Sequence, residues 1–331
     1  MEPKIIIPFI LIVLNFFIVL SHQKLITFFN IYDIPDKKRK FHKTRTSLFG
    51  GSIILINLIV FIFLDYIFQL QSITSLVFPY FILGCLFFYI FGLVDDKKDL
   101  NSNFKFAIEI SIIFLLLLFD KNILIEKIYF YSLDFSIDLG RYSFLFTVLS
   151  ITIFINALNM FDGINLQNGS YCLIIISSLF FYSQFDLFLA CLIISLITFL
   201  YLNYKSKLFL GDNGTYLLGF LISYIIIYTA KVDNYIILSA DKIFIIMLLP
   251  GLDLIRLFIT RLIKKRHPFS PDTNHIHHIL LKKFGFKKTI FFLALFTSVG
   301  NLMAHLFDNH LILIIITLIL IYIISLYMNE K

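Results

Sequence analysis

Residues 74–94 read TSLVFPYFILGCLFFYIFGLV, a stretch without charge that is followed directly by Asp95 and Asp96. A helix needs about 20 apolar residues to cross a hydrocarbon core of about 30 Å, so this stretch predicts a membrane span. The rest of the chain has the same character: of 331 residues, 59% are hydrophobic and only 15% are charged, with a mean hydropathy of +0.91. A soluble protein of this size could not bury that much apolar surface. We therefore expect an all-α polytopic membrane protein.

Similar apolar runs recur along the chain and predict about eleven transmembrane helices. An odd number places the two termini on opposite sides of the membrane. The first run lacks a strong basic region and a small-residue cleavage site, so we expect it to be retained rather than removed as a signal peptide. We find no internal repeat or linker and treat residues 1–331 as one integral membrane domain. The predicted spans are 5–20, 48–68, 74–94, 104–119, 143–160, 170–182, 185–203, 213–230, 241–262, 289–306 and 310–328.

The distribution of basic residues predicts the orientation. With the N-terminus outside and the C-terminus inside, most of the 28 Lys and Arg residues fall on the cytoplasmic side, as the positive-inside rule requires. This asymmetry also accounts for the net charge of +7 without a nucleic-acid partner. We expect the protein in the plasma (inner) membrane, with its unusual polar residues on the cytoplasmic side.

One outer loop has the pattern of a β-strand. Apolar and polar residues alternate from Tyr131 to Asp138, which is the period of an extended chain with two different faces. The loop is also longer than a simple turn between helices requires. We therefore expect a small extracytoplasmic β-hairpin around residues 123–139.

Two adjacent carboxylates, Asp95 and Asp96, end the third predicted span. A carboxylate at the end of an apolar helix is costly unless a cation or solvent compensates it, and a divalent metal would do so. Neighbouring helical residues point about 100° apart, so one carboxylate could face a metal or substrate while the other orients it. The alternative is a solvated helix end in which Lys97 and Lys98 are the neighbouring charges.

Asn156, Asn159 and Asp162 end the fifth span at intervals of three residues, which places them on one helical face. Carboxamides can bind the edge of a nucleobase or sugar, and the aspartate can bind a hydroxyl group or a metal. The alternative is hydrogen bonding between helices, which is common for Asn in membranes. We favour a ligand-binding role.

A third polar segment lies between the seventh and eighth spans, where Asp212 is flanked by Gly211 and Gly214. Glycines allow tight backbone turns and the close approach of a ligand. Asp212 also lies near a predicted helix N-terminus, so the alternative is that it only caps that helix. By itself this segment is weak evidence for a functional site, but together with the other polar segments it supports one.

Three histidines, His275, His277 and His278, occur within four residues and suggest contact with a metal or a phosphate. Zinc usually has further Cys, His or carboxylate ligands at wider spacing, so we prefer phosphate contact. His275 and His278 would share a face if the segment is helical, and uncharged surface histidines are the alternative. Asp253 and Arg256, three residues apart in the ninth span, are expected to form an internal pair.

Taken in order, five segments resemble the polyprenyl-phosphate N-acetylhexosamine-1-phosphate transferase family, of the glycosyltransferase family 4 type. The order of the motifs covers most of the chain. The last segment and the number of spans look more like the branch that initiates O-antigen, common-antigen or teichoic-acid assembly than the peptidoglycan branch. The five segments are Lys40-Phe41-His42 through Gly50-Gly51, Asp95-Asp96, Asn156 to Asn165, Phe209 to Gly214, and His275 to His278.

Two segments depart from the family pattern. Asn165 and Leu166 stand where many members have Asp and Gly. The segment from Thr46 to Phe49 also lacks the prolines that members often have before the glycine pair. These departures bear most on which sugar the donor carries, so the resemblance leaves the donor open.

The resemblance implies transfer of an N-acetylhexosamine 1-phosphate from a UDP-sugar to polyprenyl phosphate, with release of UMP, at the start of cell-envelope glycan synthesis. It also implies Mg²⁺, with Mn²⁺ as an alternative, and contact with the lipid bilayer; a homodimer is left open. Two polyanions must meet, so catalysis would consist mostly of positioning and charge neutralisation. The implied catalytic and metal-binding residues are Asp95, Asp96 and Asp212, and the implied substrate-binding residues are His42, Lys105, Asn156, Asn159, Asp162, His275, His277 and His278.

Some alternatives stay open. For Lys105, the alternative is an i,i+4 pair with Glu109. Direct attack by the lipid phosphate and a covalent aspartyl-phosphate route are both compatible with the sequence. A transporter or anion channel is the rival class, but it predicts ionisable residues near the span centres, whereas most lie here at the predicted cytoplasmic ends. A purely structural membrane subunit would not explain the ordered motifs.

Overall fold

Eleven α-helices dominate the computed structural model, which describes residues 2–33, 45–70, 78–98, 100–183, 185–231, 238–266 and 274–327. This architecture confirms the all-α polytopic membrane class. Short strands form two antiparallel pairs, β1 with β2 and β3 with β4. The helices are α1 (Pro3–Phe29), α2 (Gly50–Phe68), α3 (Phe78–Lys98), α4 (Ser102–Phe119), α5 (Ser143–Phe161), α6 (Gln167–Leu179), α7 (Asp186–Tyr204), α8 (Gly211–Lys231), α9 (Ala240–Ile263), α10 (Ile276–Leu306) and α11 (Leu311–Tyr327). The strands are β1 (Tyr32–Asp33), β2 (Thr46–Ser47), β3 (Lys127–Phe130) and β4 (Phe135–Asp138).

Ten of these helices are long and apolar enough to cross a membrane. The exception is α6, which corrects the prediction of eleven full spans: its 13 residues extend only about 20 Å. Its start nevertheless contacts α10 near His277, and after its end Phe181 stacks on His305, near the far end of α10. The helix and the turn that follows it therefore link the same two ends of the bundle as the longer helices do.

The outside of the bundle is apolar, as expected for a protein surrounded by lipid. Large side chains such as Phe16 on α1, Phe119 on α4 and Leu313 on α11 are all more than 60% exposed. Lipid tails are as apolar as these side chains, so their exposure is not costly in a bilayer. By contrast, 89% of α8 is buried, and it packs against α2, α3, α5 and α6. The central helix is therefore α8.

Small residues allow α3 and α8 to lie unusually close together. A Cβ atom added to Gly92 would lie 2.4 Å from Cα of Asn213 and 2.5 Å from the carbonyl oxygen of Asp212. On α2, a Cβ atom added to Gly51 would lie 2.6 Å from Cα of Gly214. Close backbone approach through glycine is the usual way for membrane helices to gain van der Waals contact. These contacts fix the ends of α2 and α3 against the start of α8.

The strands β3 and β4 form an antiparallel hairpin, with Lys127 opposite Asp138 and Phe130 opposite Phe135. The hairpin lies within residues 123–139 and is attached to the start of α9. The carboxylate of Asp241 accepts hydrogen bonds from the backbone N–H (2.8 Å) and hydroxyl (2.7 Å) of Ser132. We name this part of the bundle the hairpin end. The opposite end, which holds Asp95, Asp96 and Asp212, is named the carboxylate end.

Replacing Gly92 with Ala should destabilise the protein by about 1–3 kcal/mol, because the added methyl group would overlap backbone atoms of α8. Gly251 in α9 is the matched control, since a Cβ atom there meets nothing within 4 Å and Ala favours a helix. The measurement is thermal unfolding of both Ala variants in one detergent. A midpoint for Gly92→Ala equal to that of the unsubstituted protein would contradict the close α3–α8 contact.

Candidate active site

Asp96 joins the end of α3 to the start of α8. Its carboxylate accepts hydrogen bonds from the backbone N–H groups of Asp212 (2.9 Å) and Asn213 (3.0 Å) and from the side-chain amide of Asn213 (2.5 Å). The first N–H groups of a helix lack partners within the helix and form the positive end of its dipole. The cap of α8 is therefore supplied by Asp96, and the structure does not show the alternative in which Asp212 caps its own helix. The chain enters α8 through Gly211, whose φ of +76° glycine adopts readily.

Asp95 points to a different set of partners. Its Oδ2 atom lies 2.7 Å from the Lys105 ammonium and 3.0 Å from the Tyr216 hydroxyl, and its Oδ1 atom accepts the backbone N–H of Leu100 at 3.0 Å. The residue is only 2% exposed. A solvated helix end therefore does not describe Asp95, and the two adjacent carboxylates have separate partners, as their angular separation on the helix predicts.

Lys105 lies between two of the predicted catalytic carboxylates. Its ammonium group is 2.7 Å from Asp95 and 3.9 Å from Asp212. The structure thus pairs Lys105 with these aspartates. The Asp212 side chain is 30% exposed, whereas that of Asp95 is fully buried. Of the predicted catalytic carboxylates, Asp212 is therefore open to an incoming ligand.

Asn156 and Asn159 contact two different helices. Asn156 donates a hydrogen bond to the buried Glu109 carboxylate on α4. Asn159 donates to the hydroxyl of Tyr216 on α8 at 3.2 Å. Both contacts are the interhelical hydrogen bonds named above as the alternative to ligand binding. A role for the two amides in binding substrate stays a prediction.

Asp162 follows directly after α5 and is partly exposed. Its carboxylate has no hydrogen bond or ion pair with any other residue that the structure describes. Burial, followed by the negative charge of Asp96, raises the pKa of Asp162 to about 7. Near neutral pH, such a carboxyl group readily takes up a proton or pairs with a cation. The carboxylate of Asp162 is therefore available to bind a ligand, whereas the side-chain amides of Asn156 and Asn159 already donate hydrogen bonds to other helices.

The loop after Asp162 is fixed by hydrogen bonds to the end of α7. The backbone N–H of Leu166 donates to the side chain of Asn203 at 2.6 Å, and the Asn165 amide donates to the Ser206 hydroxyl at 3.1 Å. Leu166 has a φ of +68°, in the left-handed region that favours glycine. Glycine adopts this conformation without strain, which explains why many family members have Gly at the position of Leu166.

The histidine segment is attached to α9 through Asp253. One carboxylate oxygen lies 3.0 Å from Nδ1 of His275, and the other accepts the backbone N–H of Ile276 at 3.1 Å. Arg256 contacts Asp253 at 2.7 Å, as expected for an internal pair. Because α10 begins at Ile276, His275 precedes the helix. His275 is thus the N-cap residue of α10, and its ring lies 6.1 Å from the ring of His278.

His277 lies against the loop that follows Asp162. Its Nδ1 atom is 3.1 Å from the Gln167 amide, and a Cβ atom added to Gly163 would lie only 1.9 Å from its Nε2 atom. His277 is 1% exposed, so the surface-histidine alternative does not describe it. The ring of His278 follows at 4.1 Å from that of His277. The histidine segment thus reaches the end of α5.

The structure brings most of the predicted site residues to one end of the bundle. His42 lies outside the described residues. The sequence did not single out Tyr216, although it lies one helical turn after Asp212 and therefore on the same face of α8. Direct contacts link Asp95, Asp96, Lys105, Asn159, Tyr216, Asp212 and Asn213, and the end of α5 connects them to Asp162 and His277.

A metal would have to bind here together with other ligands. Within the described ranges, no group of three or more His, Cys, Asp or Glu side chains is arranged to hold an ion. The oxygens of Asp95 and Asp96 accept hydrogen bonds or face Lys105, whereas Asp212 is open. Mg²⁺ is commonly bound by one or two carboxylates together with substrate phosphates and water. The donor set therefore fits an ion that is held jointly by Asp212 and the phosphates of a substrate.

The fold and the site define a polytopic membrane protein with a carboxylate-rich site at one end. Residues 78–230 match the family model described as glycosyl transferase family 4. This range contains α3 to α8 and therefore Asp95, Asp96, Lys105 and Asp212. This match confirms the family resemblance predicted from the motifs of the chain.

Curated relatives support the same assignment. Undecaprenyl-phosphate alpha-N-acetylglucosaminyl 1-phosphate transferase of Escherichia coli (strain K12) is 29% identical over 227 residues, which are 64% of this chain and 61% of the relative. The protein of the same name from Thermotoga maritima is 29% identical over 274 residues, 82% of this chain and 80% of the relative. The Yersinia pestis protein of that name is 28% identical over 258 residues, 74% of this chain and 68% of the relative. The match to the Escherichia coli protein spans about three fifths of that protein's length.

Replacing Asp96 with Ala should lower the stability of the protein much more than replacing Asp212 with Ala. The first change removes the acceptor of three N–H bonds, and each buried donor left unpaired costs about 1–3 kcal/mol. Asp212 is partly exposed, and its ion pair with Lys105 is 3.9 Å long. Thermal unfolding of both variants in detergent measures the difference. Equal midpoints would contradict the capping role of Asp96.

Proposed function

We propose that this protein transfers an N-acetylhexosamine 1-phosphate from a UDP-linked donor to polyprenyl phosphate, giving a polyprenyl-diphosphate sugar and UMP. The observation that carries the proposal is the cluster of Asp95, Lys105 and Asp212 at one end of a membrane bundle, inside the region that matches glycosyl transferase family 4. The names of the relatives supply the acceptor, undecaprenyl phosphate, and make N-acetylglucosamine the first sugar to test. Such a reaction would initiate synthesis of a cell-envelope glycan.

The reaction joins two polyanions. An oxygen of the lipid phosphate attacks the phosphorus that bears the sugar, a new P–O bond forms, and the bond to UMP breaks. Repulsion between the phosphates opposes this approach, so neutralising their charge is the main task of the site. The Lys105 ammonium lies beside Asp212 and would face these phosphates. Bound through Asp212 and the phosphates, Mg²⁺ would supply further positive charge.

We favour direct attack by the lipid phosphate over an aspartyl-phosphate intermediate. A carboxylate nucleophile needs an oxygen that is free to approach phosphorus. Both oxygens of Asp95 have partners, and those of Asp96 accept N–H bonds from the start of α8. The lipid phosphate already carries a nucleophilic oxygen at neutral pH. Asp212 is the open carboxylate, and we assign it to the metal rather than to attack on phosphorus, while Asp95 would orient Lys105.

The polar residues around this centre would bind the rest of the donor. Asp162 has free binding capacity at the end of α5, and His277 lies against the adjoining Gly163. We place the carboxylate end on the cytoplasmic side because α9 ends and α10 begins there with exposed basic residues. Lys264, Lys265, Arg266, Lys282 and Lys283 are exposed in this region.

An apolar cavity of about 1030 Å³ could hold the lipid chain. It lies between α5, α8, α9 and α11, under the hairpin, and extends along α9 as far as Leu252 and Ile255. Ile255 lies only two residues from Asp253, the residue that holds the start of the histidine segment. A polyprenyl chain whose phosphate lies at the carboxylate end could therefore place part of its length in this cavity.

The reaction is tested by incubating the purified protein with polyprenyl phosphate, Mg²⁺ and a panel of UDP-sugars. We expect UMP and a polyprenyl-diphosphate sugar from a UDP-N-acetylhexosamine, and a loss of at least about 100-fold in rate for Asp95→Asn and Asp212→Asn. Asp186→Asn, an exposed change at the start of α7, is the matched control and should keep the full rate.

Full activity of Asp95→Asn and Asp212→Asn would remove both residues from the mechanism. Absence of a lipid product with every UDP-sugar would contradict the proposed function. Flux of a substrate across sealed vesicles, measured in parallel, would instead favour the transporter alternative.

The lipid-binding role of the cavity is tested with Gly251→Leu. Gly251 lines the cavity, and a Cβ atom added there would meet nothing within 4 Å, so a Leu side chain should extend into space meant for the lipid. We expect the KM for long-chain polyprenyl phosphate to rise about tenfold, which equals about 1.4 kcal/mol. The KM for the UDP-sugar should not change. Ser111→Leu on the exposed face of α4 is the control.

A short polyprenyl phosphate that does not reach the cavity provides a second comparison. Its KM should be the same for Gly251→Leu and for the unsubstituted protein. Equal effects of Gly251→Leu on short and long acceptors would argue against lipid binding in the cavity.

A further inference from the structure

Tyr216 lies where the helices that carry the predicted motifs meet. It belongs to α8, one turn after Asp212, and is 1% exposed. Its ring stacks on the ring of Phe91 in α3, with 5.2 Å between centroids and 11° between planes. Packing therefore fixes the plane of the ring, and with it the direction in which the hydroxyl group points.

The Tyr216 hydroxyl donates one hydrogen bond and accepts another. It donates to Oδ2 of Asp95 at 3.0 Å and accepts from the side-chain amide of Asn159 at 3.2 Å. A phenol has one proton to donate and lone pairs to accept with, and the amide NH₂ group can only donate. The hydroxyl proton is thus directed to the carboxylate. One group links α3, α5 and α8.

The same oxygen of Asp95 also contacts Lys105. The Lys105 ammonium lies 2.7 Å from Oδ2, and the backbone N–H of Leu100 holds Oδ1 at 3.0 Å. With the phenol on one side and the ammonium on the other, the Asp95 carboxylate cannot rotate without breaking a contact. Because Lys105 also lies 3.9 Å from Asp212, the orientation of Asp95 sets the distance between the ammonium and the second carboxylate.

We propose that Tyr216 is a positioning residue of the transfer reaction. Its hydroxyl fixes the Asp95 carboxylate, and through it holds the Lys105 ammonium beside Asp212, where the phosphates would bind. This inference rests on the proposed function, because it requires Lys105 and the carboxylates to act on phosphate substrates. Tyr216 itself does not touch the reacting atoms.

Packing alone would not require a hydroxyl group at this position. Phenylalanine would keep the ring stacking, and the chain contains 41 Phe but only 17 Tyr. A hydroxyl group in an apolar environment is unfavourable unless it is hydrogen-bonded. The buried hydroxyl group of Tyr216 therefore needs a hydrogen-bond partner, and that partner is Asp95, a carboxylate that the reaction would use.

Tyr224 provides a matched comparison within the same helix. It lies two turns further along α8, is buried, and donates its hydroxyl proton to the carboxylate of Asp120. Asp120 lies at the hairpin end, far from Lys105 and Asp212. Replacing either tyrosine with Phe thus removes one buried tyrosine–aspartate hydrogen bond from α8, but only one of these bonds belongs to the site.

The experiment compares Tyr216→Phe with Tyr224→Phe in the purified full-length protein, using polyprenyl phosphate, Mg²⁺ and the accepted UDP-sugar. Both variants should lower the thermal unfolding midpoint to a similar degree. Only Tyr216→Phe should lower kcat, by about tenfold, while its KM for the UDP-sugar changes less than twofold. A purely structural role would not separate kcat from KM in this way.

A double variant tests whether Tyr216 acts through Asp95. If it does, adding Tyr216→Phe to Asp95→Asn should change the single-turnover rate by less than twofold, because the carboxylate to be positioned is already absent. A further tenfold loss in the double variant would overturn the proposal.

Other outcomes also decide the proposal. It is overturned if Tyr216→Phe keeps the full kcat, if only its KM changes, or if it fails to fold while Tyr224→Phe folds. Each of these results would leave the proposed function intact, since the unsubstituted protein would still carry out transfer. No transfer by the unsubstituted protein would instead contradict the proposed function together with this inference.

Discussion

The structure depends above all on one carboxylate at the beginning of a buried helix. Water cannot reach most of α8, so the free N–H groups of its first turn need acceptors from within the protein. Asp96 provides them for Asp212 and Asn213. Since Asp96 lies in the last turn of α3 and Gly92 allows α3 to lie against α8, these bonds fix the relative position of both helices. Asp95 and Asp212, each adjacent to a bonded residue, are thereby held in place as well.

This arrangement leaves the site with an excess of negative charge. Asp95 and Asp212 both lie near the Lys105 ammonium, and Asp96 adds a third carboxylate beside them. Two substrates that both carry phosphates would add further negative charge, and like charges repel strongly where water is scarce. A site of this composition can accept phosphates only when a cation accompanies them or when a carboxyl group is protonated. Charge balance therefore connects the carboxylates to the metal that the resemblance implies.

The sequence predicted the fold class and most helices because apolar length is a local property. The predicted span 48–68 corresponds to Gly50–Phe68, and 213–230 corresponds to Gly211–Lys231. The predicted span 170–182 corresponds to α6 (Gln167–Leu179), but it was counted as a full span because its residues are apolar, although 13 residues are too few to cross a membrane.

Side-chain partners were harder to predict than helices. Asn156 and Asn159 lie three residues apart, as the pattern indicated, yet one faces α4 and the other α8. Spacing gives the angle between two side chains, but only the packed bundle determines which helix each one meets. Tyr216 was missed for the same reason, because nothing local distinguishes a tyrosine that only stacks from one that also donates to a carboxylate.

The backbone of the loop after Asp162 could not be predicted from the sequence either. Leu166 has a left-handed conformation there, which costs a non-glycine residue about 1–2 kcal/mol. Such strain persists only where surrounding contacts determine the backbone, and here the bond to Asn203 does so. The position of this loop, which brings Asp162 to the site and Gly163 to His277, is therefore set by tertiary contacts against its local preference.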